Sequence, residues 1–157
     1  MTAERAGTQV PPSIESDSVA RWIRRRRDDG PISGDLVHAF QGFRGTLELV
    51  EDAKSALAAT APRRRTPGLP LAQALAEFEQ GLARASASMG RWRLPAVDEQ
   101  WAVCRSALAE SAHRAEALRL GDAPGGYEEL YGTLVDLMEP LDHAFETALY
   151  RFRELGL

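Results

Sequence analysis

From Tyr127 to Leu155 the apolar residues recur at alternating intervals of four and three: Tyr127, Tyr131, Leu134, Met138, Leu141, Phe145, Ala148, Phe152 and Leu155. A helix completes a turn in about 3.6 residues, so this spacing lays all of them along one face. Leu130 and Leu137 widen the stripe beyond the narrow seam of a two-stranded coiled coil. A helix over about 126–156 that is apolar along so much of its length has to be covered by other helices, and the rest of the chain supplies candidates.

Three further segments keep the same rhythm. The first, about 35–61, places Leu36, Phe40, Phe43, Leu47, Val50, Lys54 and Leu57 in register. The lysine interrupts the seam where its long stem can carry the charge out to water. The second, about 70–92, aligns Leu71, Leu75, Phe78, Leu82, Ala85, Met89 and Trp92, with Pro70 suited to a first turn that needs no N–H. The third, about 96–120, aligns Val97, Trp101, Cys104, Leu108, Ser111, Ala115 and Leu118 and stops at Gly121. Pro140 falls inside the last segment but off its seam. It predicts a gently curved helix, or else a break with Glu139 capping a new one. Four long amphipathic segments with short connections predict an all-α fold, an up-down-up-down four-helix bundle.

Residues 1–15 are polar and Pro-containing and predict a disordered arm. The Ser16–Asp17–Ser18 run then caps a short extra helix over about 18–27, bearing Trp22 and the run Arg24, Arg25, Arg26, Arg27. Residues 16–157 are expected to form one domain. Hydrophobic residues make up 44 % of the chain, which suffices for a core. No apolar run is long enough to span a membrane, and the first residues carry no secretory signal. With one cysteine, Cys104, no internal disulfide can form. A cytoplasmic protein is expected. The abundance of alanine and the single lysine among 19 basic residues suit a GC-rich bacterial genome.

The net charge of −4 is unevenly spread: residues 126–157 carry seven acids and two arginines, residues 63–95 six arginines and two acids. In an up-down bundle the start of the first long helix, the turn at 91–95 and the C-terminus share one end. Arg91, Arg93, Arg151 and Arg153 would gather there with Arg24 to Arg27, near Trp22 and Trp92. Guanidinium forks suit carboxylates and phosphates, so this end is the candidate anion or partner site. The same arginines could simply cap helix C-termini.

Other motifs carry chemistry at face value. His38, Phe40, Gln41 and Gly42 stand where an exposed helical histidine, an apolar residue, a lysine and a glycine stand in histidine-phosphotransfer bundles, which this stretch resembles; the lysine is replaced by Gln41. The resemblance implies phosphorylation at His38. Glu110 and His113 have the spacing of a di-iron ligand pair, but heptad phase points both outward. Cys104 falls on the seam, as a small core hydrophobe does. Tyr150 and Glu154 form a Y-x-x-x-E that resembles the export signal of type VII secretion substrates. Phe78, Trp101, Tyr131 and Met138 could line a ligand cavity, though each is more simply core.

The expectation is therefore a non-enzymatic interaction or adaptor module without cofactor or metal. It would dock a protein partner, such as an acidic one, or self-associate as a homo-oligomer. Nucleic-acid binding through the arginine-rich end is the first alternative and phosphotransfer at His38 the second.

Overall fold

The computed structural model describes residues 33–62, 65, 67–121 and 127–157. The expected arm, the short helix over 18–27, Trp22 and Arg24 to Arg27 lie outside the described residues. Four long helices follow one another: α1 Gly34–Ala58, α2 Leu71–Ser88, α3 Asp98–Leu120 and α4 Tyr127–Glu154. Two 3-10 turns, Met89–Trp92 and Pro95–Val97, join α2 to α3. Among the described residues there is no strand. The helices belong to one compact unit, Gly34–Leu157.

The first, second and fourth helices end slightly short of their expected bounds, for local reasons, and α3 ends at Leu120 as expected. The α1 helix stops at Ala58 rather than 61, because the next turn tightens to i−3 bonds from Thr60 and Ala61. The Thr60 hydroxyl donates to the Leu57 carbonyl at 2.7 Å. The loop then folds back, and the Leu69 N–H donates to the Ala59 carbonyl at 2.8 Å. Gly68 permits that return, since a Cβ there would run into the Thr60 carbonyl. The expected helix over 70–92 is α through Ser88 and 3-10 beyond it. At the other terminus the Leu157 N–H bonds the Phe152 carbonyl and the Gly156 N–H that of Arg153. Gly156 has φ 100°, so α4 closes in the left-handed cap that only glycine enters freely. Gly121 ends α3 with φ −94°, in extended backbone.

Contacts between helices fix an antiparallel ring. Thr46 of α1 meets Ser88 of α2 and Ala53 meets Gly81. Glu79 of α2 pairs with Arg119 of α3. Ser111 and Cys104 of α3 donate to the Leu137 and Ala144 carbonyls of α4. Lys54 of α1 pairs with Asp142 of α4, and Phe43 with Phe152. In every pair the later residue of one helix faces the earlier residue of the next, which gives the up-down-up-down order.

The buried stripes differ in part from the expected seams. On α1 the buried residues are Ala39, Phe43, Thr46, Val50, Ala53 and Leu57, while Leu36, Phe40 and Leu47 are half-buried. The small members, Ala39, Thr46 and Ala53, recur every seven residues, as do Ala74, Gly81 and Ser88 on α2. They let two backbones approach closely, and the larger expected series on α1 is left at the border with α4. On α4, Leu137 and Ala144 are buried, but Tyr131 is 63 % exposed. Tyr131 therefore leaves the core it was assigned to. The α4 helix runs unbroken through Pro140, as the curved alternative requires.

The aromatic rings of the core gather toward the end where α1 starts and α4 finishes. The Phe43 ring lies 5.0 Å from Trp92, 5.1 Å from Phe152 and 6.1 Å from Phe145. Beside it a chain of donors is closed internally. The Trp92 indole N–H donates to the Thr46 hydroxyl at 3.2 Å, the Thr46 and Ser88 oxygens are 2.5 Å apart, and Ser88 donates to the Ala85 carbonyl at 2.7 Å. Among the described residues every buried side-chain nitrogen and oxygen has a partner.

Candidate docking groove

Three of the four helix seams are tight. Between α1 and α4 the contacts are far sparser than between the other neighbouring pairs. The cause is visible in the residues. The small-residue stripe of α1 is turned toward α2, so apart from Phe43 at the aromatic end α1 faces α4 with the larger flanking series Phe40, Leu47 and Lys54. In antiparallel register Leu47 falls opposite Leu149 and Lys54 opposite Asp142. What remains is a groove whose α4 wall runs from Leu130 to Leu149, roughly 28 Å at about 1.5 Å per residue.

The Lys54 ammonium crosses this groove. It lies 2.5 Å from Asp142 Oδ1 and 3.1 Å from Glu51 Oε1. The lysine expected to reach out to water thus ties α1 to α4 instead. Burial alone would lower its pKa, but the hydrogen bonds to Asp142 and then Glu51 prevail and hold it above the usual 10.5. The bridge divides the groove in two. On one side is a chamber of about 310 Å³. Its walls are Leu57, Ala61 and Pro62 from α1 and the turn after it, facing Leu134, Val135 and Met138, with Tyr131 at the mouth. Among the described residues that line it, only Thr60 and Tyr131 carry a polar side-chain atom. On the other side lies a cavity of about 290 Å³, in which Leu47 and Leu149 share the walls with Glu51, Asp142 and Glu146.

The arginine-bearing end is largely engaged. The Arg93 guanidinium stacks 4.5 Å above the Trp101 ring and lies 3.7 Å from Asp98. Arg105 approaches the same ring at 5.5 Å, while the indole N–H donates to the Met89 carbonyl at 2.7 Å. Arg151 donates to the Ala96 carbonyl at 3.1 Å and pairs with Glu154 at 3.2 Å. These two arginines hold the connection between α2 and α3 against its surroundings. Arg91 and Arg153 are exposed, and neither forms an ion pair among the described residues.

The remaining candidates are dispersed. His38 is exposed on α1. Gly42 does not lie on an open outer face as heptad phase suggests: a Cβ there would come within 2.9 Å of the Arg91 carbonyl. The glycine lets the turn after α2 approach α1, so the room beside His38 is already taken. Glu110 pairs with Arg114 at 2.6 Å, and His113 and His143 are exposed. Among the described residues no three His, Cys, Asp or Glu come together as a metal site would need. Cys104 is buried, and burial pushes its thiol up to about 12, where the reactive thiolate is scarce.

Of the four residues that could line a cavity by sequence, Tyr131 and Met138 line the chamber and Phe78 and Trp101 are core; the groove as a whole does not show in the apolar seams. Its signal was a second series on α4, Val135, Asp142 and Leu149, spaced by sevens to match Leu47 and Lys54. No protein-family model, curated protein or solved structure matches the chain. Among the described residues no helix is long and apolar enough to cross a membrane.

Proposed function

We propose that this bundle is a non-enzymatic docking module that receives a second polypeptide along the α1/α4 groove. The observation that carries this reading is the carbon-lined chamber beside the exposed Tyr131, on the seam where neighbouring helices touch least. Docked helices commonly bury an apolar face in such a channel. The test is site-specific cross-linking in cells that make the protein. A benzoylphenylalanine at position 131 should give a discrete protein adduct that is absent when the same group replaces the exposed Val103 of α3. No adduct at 131, or the same adducts from both positions, would sink the reading.

A second reading is favoured by Arg91 and Arg153, exposed cations without ion pairs among the described residues. They suit an acidic partner or a phosphate backbone at the opposite end of the bundle. Steep loss of affinity with added salt would mark nucleic acid. Retention of binding by R91S/R153S would remove this end from consideration.

A further inference from the structure

We infer that the occupant of the α1/α4 groove is an amphipathic helix with lysine or arginine flanking its apolar face, contributed by a partner protein. This rests on the docking reading above and specifies the partner's chemistry. The floor asks for aliphatic side chains. The walls decide the charge. Glu51, Asp142 and Glu146 line the groove directly. Glu139 stands one helical turn beyond Val135, and Glu128 one turn before Tyr131, both exposed. Against them stands Lys54, already shared by two carboxylates. The imbalance extends over both helices: α1 carries four acids and two cations, α4 seven and two, whereas residues 71–120 carry six of each.

A helix with acidic flanks would bring like charges against these walls, at a cost in both association rate and affinity. Anionic lipid surfaces and nucleic acids meet the same repulsion. Pairing of two copies through this face is opposed for a related reason. A two-fold interface sets identical patches against each other, here acid against acid. A helix with basic flanks is attracted along the whole groove and can share Asp142 and Glu51 with Lys54. The groove's length of roughly 28 Å suits a helix of about 18 residues at about 1.5 Å per residue.

The test uses the full chain and two fluorescein-labelled 18-residue probe helices with the same leucine face, one flanked by lysine and one by glutamate. Binding is read by anisotropy at low salt. The lysine probe should bind, and the glutamate probe should bind roughly tenfold more weakly or not at all. V135W, which fills the chamber without altering charge, should weaken the lysine probe by roughly tenfold, the scale of losing a central apolar anchor. E139K/E146K leaves three acids against three cations along the groove and should erase the preference, with circular dichroism confirming that both variants stay helical. If the glutamate probe binds as well as the lysine probe and V135W abolishes both, the charge assignment is overturned while the docking groove stands. If neither probe binds, or V135W changes nothing, the groove itself is overturned. A concentration-dependent dimer dispersed by V135W would overturn the proposal in favour of a second copy.

Discussion

Gly81 shows how little room the α1/α2 seam leaves. A Cβ added there would lie 2.6 Å from the Ala53 Cβ and 3.0 Å from its Cα, and neither atom can rotate away. Gly81→Ala should therefore destabilise the fold, even though alanine improves helix propensity by about 1 kcal/mol. Prising two helices apart costs about 1–3 kcal/mol, so a net loss of up to about 2 kcal/mol is expected in urea unfolding. Gly132 on α4 is the control. Nothing lies within 4 Å of its added Cβ, so Gly132→Ala should gain about 0.5–1 kcal/mol. Equal effects at the two glycines would refute the close seam. Lys54 makes a second residue-scale case. The folded chain holds the lysine proton more tightly than the unfolded chain does, because its pKa is raised above 10.5. Its contribution is then complete below that pH and is lost as pH rises through the higher folded-state value. Lys54→Met should cost about 1 kcal/mol near neutrality, the scale of a partly exposed ion pair. The gap between wild type and variant in urea midpoint should close at strongly alkaline pH; a gap constant from pH 8 to 11.5 would show that the bridge is not its source.

Ser111 and Pro140 connect one element to another. Pro140 has no N–H, so the Asp136 carbonyl one turn earlier loses its helical donor. In that same stretch Ser111 of α3 donates to the Leu137 carbonyl at 3.0 Å. The serine is only 1 % exposed, and Ser111→Ala should cost about 1 kcal/mol, the usual value of a buried hydrogen bond. A neutral substitution in thermal melts would mean that α4 satisfies that carbonyl alone. The sequence shows Ser111 on its seam but not what it bonds. This is the general pattern of what could be seen in advance. Four helices and their order follow from large apolar residues at helical spacing, because such residues must be covered whatever their neighbours are. The face that each helix gives to each neighbour depends on the small residues, and Ala39, Thr46, Ala53 and Gly81 look neutral on any hydrophobic scale. That is why α1 was phased on Phe40, Leu47 and Lys54 and why the groove beside them was missed. Tyr131 was misplaced for the same reason: its spacing is right for the seam, but opposite it α1 presents the turn at Ala61–Pro62 instead of a packed side chain. At the arginine-rich end, topology was enough to bring Arg91, Arg93, Arg151 and Arg153 to one pole. It could not tell that Trp101 and the Ala96 carbonyl would engage two of them.

Across the whole molecule, the two ends of the bundle are built differently. Phe43, Trp92, Phe145 and Phe152 interlock at one end, with the Trp92–Thr46–Ser88 hydrogen bonds beside them. The other end holds the open chamber between Leu57 and Leu134 and the exposed Tyr131. Local stability follows buried contact density, so opening should begin where contacts are fewest. Amide exchange should therefore be faster over residues 57–61 and 127–134 than over the turns around Phe43, Trp92 and Phe152. Phe43→Ala should cost about 3–5 kcal/mol, a large part of the roughly 5–15 kcal/mol that holds a domain together, and should accelerate exchange in all four helices. Val135→Ala, at the chamber wall, should change exchange only near the groove. The functional reading needs this division. A helix entering the α1/α4 groove must displace little if the aromatic end keeps the four helices in register while the chamber end gives way. Slower exchange over residues 57–61 and 127–134 on addition of the lysine-flanked probe, with the Phe43 region unchanged, is the expected signature. Uniform protection across the bundle would instead mean that binding stabilises the fold as a unit, and that the chamber is no more yielding than the rest.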